Sequence, residues 1–192
     1  MTFKHITNWT KENINFNDTY QTSWDLSNYW TNKVSNENEL LTPANSLFDS
    51  IQSILNSMGN SFDFSQLSSE IQKSKYYAEL LKEYVFEDIR LTEFPDKPSR
   101  KKCIFLAPFE VDIFKYATKL NFDLSSKTLM EIVIIQNENL HFADLTLLNC
   151  NGQPHNEKVN TARLYWRGTT NRDNNTEVLY TGQFKIKSLI QK

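Results

Sequence analysis

The sequence predicts an α+β fold, an N-terminal helical segment followed by a core of short strands and helices. Three observations carry that expectation. Apolar residues recur at helical spacing between residues 43 and 84, and from Tyr84 onward the pattern changes to short elements of alternating type. Composition is that of a chain with a core: 39% hydrophobic and 23% charged residues, with a net charge of −2. That charge leaves no nucleic-acid footprint in the total, although a local basic patch is compatible with it.

Residues 1–46 are rich in Asn, Thr and Ser, with Trp9, Phe16, Tyr20, Trp24, Tyr29 and Trp30 interspersed. Such a stretch forms no core alone, so its aromatics are expected to drape over the rest of the chain. A first helix is predicted over 43–58: Thr42 caps it, Pro43 suits its first position, and Leu47, Ile51, Ile54, Leu55 and Met58 share a face before Gly59. A second runs from Phe64 or Ser65 to about Tyr84, with Leu67, Ile71, Tyr77, Leu80, Leu81 and Tyr84 as its buried stripe. The two read as a hairpin, which gives a segment 1–83 packed on a core 84–192.

In that core, Tyr84–Leu91 reads as a strand because Val85, Glu87, Ile89 and Leu91 alternate with Phe86, Asp88 and Arg90. Pro95 and Pro98 make residues 92–100 a loop, and residues 101–107 follow as a buried strand. A helix is predicted over 108–120, opening on Pro108, then strands over 129–135 and 141–149 and a helix over 156–166. Residues 176–190 close the chain as two strands joined by a tight Thr181-Gly182 turn.

Several function classes lose support at once. Cys103 and Cys150 are too few for a disulfide framework, and His5, His141 and His155 are scattered without ligand spacing, so no metal is expected. Four glycines and no GxGxxG or GxxxxGK[ST] leave no Gly-rich phosphate loop. With no apolar run of secretory length or of the ~18 residues a membrane span needs, a cytoplasmic protein without membrane partners is expected.

Three clusters are candidates for chemistry. Around the loop Phe94-Pro95-x-x-Pro98-Ser99-Arg100 stand Glu87 and Arg90; guanidinium groups grip phosphate or carboxylate in bidentate fashion, and a Ser hydroxyl can serve a ribose or phosphate oxygen. Equally, Arg90 can simply pair with Glu87 or Asp88 while Arg100 caps a strand. Tyr165-Trp166-Arg167-Gly168, at a helix end, could floor a pocket for a base or nicotinamide, or be core. Glu177 is a lone carboxylate beside Val178 and Leu179, able to stabilise a developing cation if it faces a cleft, or merely solvent-facing. His141, with Asp144 three residues on, has at most a pocket-lining role. Lys97, Arg100, Lys101 and Lys102 form a local basic cluster that could meet phosphate.

Taken together, Arg90 on a first strand, Ser99 entering a second and Glu177 opening a late strand as Glu-Val-Leu resemble the Arg-Ser-Glu branch of the ADP-ribosyltransferase superfamily. The stretch from Phe86 to Leu106, with its FPxxPSR motif, is also similar to a motif in bacterial and phage-defence proteins. The resemblance covers about 105 of the 192 residues. It implies a split β-sheet core with NAD, a substrate, in a cleft between two small sheets. Arg90 would contact phosphate or ribose, Ser99 would support the nicotinamide side, and Glu177 would act on the nicotinamide ribose. Arg100, Tyr165 and Trp166 complete the expected NAD-binding set. A toxin or effector would follow, acting on RNA, DNA or protein and answered by a neutralising protein partner. Two departures matter: Pro98-Ser99-Arg100 replaces a Ser-Thr-Ser triplet, and Asn175 stands where a Glu or Gln would help select an arginine acceptor. A non-catalytic module binding a nucleotide or partner is the alternative.

Overall fold

A computed structural model describes residues 1–22, 53, 64–108, 114, 117–118, 123–135, 139–173 and 175–190. The elements are β1 (Thr2–Thr7), β2 (Thr19–Gln21), α1 (Phe64–Glu93), β3 (Ile104–Pro108), β4 (Thr128–Ile134), β5 (Leu140–Asp144), α2 (His155–Arg167), β6 (Thr176–Tyr180) and β7 (Gln183–Leu189), with short 3-10 turns between some of them. The fold is α+β. Its sheet has seven strands in the order β2-β7-β4-β1-β3-β6-β5, and every pairing is antiparallel.

The sheet curls. Only Thr181 and Gly182 separate β6 from β7, yet β3, β1 and β4 lie between them in the ladder. Four strand spacings amount to roughly 19 Å on a flat sheet, whereas the three Cα steps from Tyr180 to Gln183 reach at most about 11 Å. The two ends of the five-strand run must therefore approach one another. Thr181-Gly182 is accordingly a corner and not a hairpin: the alternating antiparallel ladder gives β6 and β7 the same direction. Gly182 has φ 150°, and a Cβ there would stand 2.5 Å from the Tyr180 hydroxyl, so only glycine fits the corner. The Tyr180 hydroxyl donates to the Gln183 carbonyl at 2.7 Å, and Thr22 ties down Gly182 through one bond in each direction.

Alternation then sorts the strands into two faces. The inner face closes on itself as one cluster that includes Phe3, Leu106, Ile132, Val178 and Phe184. The outer face of β3, β6 and β5 carries Phe105, Leu179 and Ala143, and receives Val85, Phe86 and Ile89 of α1 with Ala162, Tyr165 and Trp166 of α2. The Trp166 indole N–H donates to the Phe86 carbonyl at 2.7 Å, fixing the two helices against each other.

Several expectations change here. Tyr84–Leu91 is the last part of α1, not a strand: Val85, Phe86 and Ile89 are buried at helical spacing, and Leu91, required inside by a strand, is 58% exposed. Ile71, expected in the helix stripe, is exposed too. Pro108 ends β3 opposite Phe3 and does not open a helix; Phe114, Ala117 and Thr118 are helical, and the rest of 109–120 lies outside the described residues. Of the expected helix 43–58 only Ser53 is described, and it is helical. The strand over 141–149 gives way at Leu145–Leu148 to a 3-10 turn capped by Asp144. Most consequentially, β1 is the central strand of the sheet and α1 runs unbroken across residue 84, so the described residues 1–22 and 64–83 are built into the same fold as the rest. Among the described residues, no helix is long and apolar enough to cross a membrane.

Candidate functional site

Glu177 is the second residue of β6 and points to the helix-covered face, the same side as Leu179; it is 2% exposed. A lone carboxylate there would be costly. Two groups answer it. The Arg100 guanidinium donates from Nη1 to Glu177 Oε1 at 2.5 Å, and the Tyr165 hydroxyl donates to the same oxygen at 2.5 Å. Arg100 is itself held on its far side by Glu83 of α1, through Nε at 2.9 Å and Nη2 at 3.2 Å. Its guanidinium also lies over the rings of Phe105 and Tyr165, with centroids at 5.1 and 5.3 Å.

A second knot sits one helical turn further along α1. Glu87 accepts from Arg90 Nε at 3.1 Å and Nη2 at 2.9 Å, and from the Ser99 hydroxyl at 2.8 Å. Arg90 Nη1 donates onward to the carbonyls of Pro95 at 3.2 Å and Lys97 at 3.1 Å. Arg90 therefore ties the end of α1 to the Pro-containing loop, and that loop delivers Ser99 and Arg100. The prolines preset the loop backbone, and Arg90 supplies a donor to two of its carbonyls.

The electrostatics follow from burial among charges. Burial alone would lower the Arg100 pKa, but the Glu177 and Glu83 carboxylates outweigh it and hold the guanidinium charged well beyond its ordinary value. Burial together with the Glu177 charge pushes the Tyr165 phenol well up against the opposing pull of Arg100, so it stays a donor. Cys103, close by, is likewise driven up by burial and is no nucleophile. His141 is pushed down to about 4, chiefly by burial, so at neutral pH it is uncharged, with Nε2 donating to the Tyr165 carbonyl at 3.0 Å.

The residues singled out from sequence thus fall into three groups. Arg100, Tyr165 and Glu177 meet directly. Arg90 and Ser99 meet at Glu87, on a helix where a strand was expected. Trp166 is fully buried core, stacked on His141, with no ring face open to a ligand. Asp144 is not the partner of His141; it caps its own turn by accepting from Thr146. The basic cluster also shrinks, because Arg100 turns inward and leaves Lys97, Lys101 and Lys102. Sequence reasoning missed Glu83, whose signal was its spacing: Glu83, Glu87 and Arg90 lie on one face of a helix.

A family model described as "Protein of unknown function (DUF2441)" matches residues 3–192. No curated protein matches the chain.

Proposed function

The chain belongs to the DUF2441 family, and from its own residues we propose that it is an ADP-ribosyltransferase. It would take ADP-ribose from NAD to a macromolecular acceptor, as an effector in bacterial or phage conflict. The observation that carries this reading is the convergence of Arg100 and Tyr165, from two other segments, on the Glu177 carboxylate near the start of β6.

In such a reaction the bond from ribose C1′ to the nicotinamide nitrogen breaks, and its electron pair leaves with the now neutral nicotinamide. The ribose carries oxocarbenium charge until an acceptor nucleophile bonds to C1′ and releases its proton. Glu177 is the carboxylate that would stabilise that charge, more strongly in a dry site than water would. Tyr165 fixes the carboxylate's orientation. Arg100 would exchange Glu177 for the pyrophosphate of NAD, charge for charge. Arg90 and Ser99 position the loop that presents Arg100. Glu177 lies on the outer face of β6, so on this reading NAD would enter between that face and the helices that cover it.

A second reading, a non-catalytic module whose buried network clasps α1, α2 and the sheet, is favoured by one observation. Arg100 spends Nε and Nη2 on Glu83 and Nη1 on Tyr165 and Glu177. Nicotinamide release from NAD, with cell extract as acceptor source, separates the two. The enzyme reading expects release by the wild type and its near-complete loss in Glu177→Gln, with both proteins folded by circular dichroism. No release by a folded wild type, together with a lowered melting temperature in Glu177→Gln, overturns it in favour of the clasp.

A further inference from the structure

Where β1, β4 and β7 end together, the structure opens a cavity of about 670 Å3, within the range of small-molecule sites. Its walls come from the turn after β1, the turn before β4 and the tail of β7. The lining combines an aromatic face, Trp9, with two cations, Lys11 and Lys127, the hydroxyls of Ser125 and Ser126, and an apolar floor at Leu129. No carboxylate is among the lining residues that the structure describes.

Trp9 is 38% exposed and held in place. Its ring rests on Tyr20 at 5.1 Å, and Tyr20 stacks on Phe184 of the inner core at 5.6 Å. Its backbone is fixed at both ends, its N–H donating to the Thr7 hydroxyl at 3.2 Å and its carbonyl accepting from the Thr128 hydroxyl at 2.6 Å. An aromatic anchored in this way offers a ring face at little entropic cost. Lys127 bonds the neutral Asn8 amide, so its charge is not cancelled, and neither lysine makes an ion pair among the described residues. Asp123, the nearest carboxylate on the turn before β4, is spent on the backbone and hydroxyl of Ser125.

A stacking face beside two cations, Lys127 meeting only the neutral Asn8 amide and Lys11 lying near the exposed Glu12, matches a ligand that is planar at one end and anionic at the other. We propose that this cavity binds a nucleoside 5′-phosphate group, its base against Trp9 and its phosphate between Lys11 and Lys127. The group can arrive as a free mononucleotide or as half of a dinucleotide such as NAD. None of these residues belongs to the Glu177 network, so the site stands even if nicotinamide release fails.

Isothermal titration of the intact chain with AMP, NAD, adenosine and inorganic phosphate tests it. AMP binding at least about tenfold tighter than adenosine or phosphate alone, about 1.4 kcal/mol, is expected. Trp9→Leu should weaken AMP and adenosine about tenfold but leave phosphate unchanged. Lys127→Glu should weaken AMP and phosphate but not adenosine. NAD binding tighter than AMP identifies the dinucleotide as the source; equal affinity identifies the mononucleotide. No binding of AMP or NAD at millimolar concentration, phosphate binding as tightly as AMP, or affinity unmoved by both cavity substitutions in folded protein would each overturn the proposal.

Discussion

At the scale of single residues, the buried Glu177, Arg100 and Tyr165 satisfy one another, and His141 is satisfied by a backbone carbonyl. His141 shows the cost of that arrangement. Its burial between Tyr165 and Trp166 holds its pKa down at about 4, against an ordinary 6.5. Between those values the unfolded chain binds a proton that the folded chain refuses, so stability falls as pH drops from about 6.5 towards 4 and is regained on raising it. At most this is worth about 3 kcal/mol. Urea midpoints measured across that window should fall with acid in the wild type, and more gently in His141→Gln; identical slopes would mean that His141 titrates freely. A histidine in a strand offered no sign of this in the sequence, because the burial comes from α2, about 24 residues away. Glu177 was legible as an odd carboxylate among apolar neighbours. Its partners were legible only as separate candidates, since nothing in spacing reveals that Arg100 would turn inward to meet it.

At the scale of elements, α1 carries the clearest lesson. Val85, Glu87, Ile89 and Leu91 alternate as a strand would, and that period obscured the helical one. The helical stripe of Val85, Phe86 and Ile89 is hard to see because Lys82, Glu87 and Arg90 are buried beside it. Hydrophobic periodicity counts such residues as surface, whereas ion pairing has brought them inside. Substitution separates the two assignments. Ile89→Ala removes a fully packed side chain and should cost about 2–5 kcal/mol in chemical denaturation, while Leu91→Gln should stay within about 0.5 kcal/mol. A large loss at Leu91 would contradict the helix. The strands β4, β6 and β7 were read nearly to their bounds, because their apolar runs are compact and flanked by turn residues, whereas β3 starts three residues later and β5 ends five residues earlier than expected.

At the scale of the whole molecule, the first few residues decide whether there is a sheet at all. The polar, aromatic-studded N-terminal stretch read as a segment draped over the core and not as part of it, because six residues of a strand, TFKHIT, carry little apolar signal. Their place in the ladder outweighs it: β1 pairs with β4 along its whole length and with β3 from Phe3 to His5. Without β1 the ladder separates into β2-β7-β4 and β3-β6-β5, joined only through the corner at Thr181-Gly182. Each remnant would expose a row of unpaired backbone groups on its new edge, and the inner cluster would lose Phe3, which is fully buried. A fragment of residues 84–192 would lack β1, β2 and most of α1 as well. Such a fragment should show no cooperative melting and poor amide dispersion, and removing residues 1–9 from the otherwise intact chain should do the same. A cooperative transition in the shortened chain would require β3 and β4 to pair directly, a register in which the curl that brings β6 round to β7 would have to close over one strand fewer.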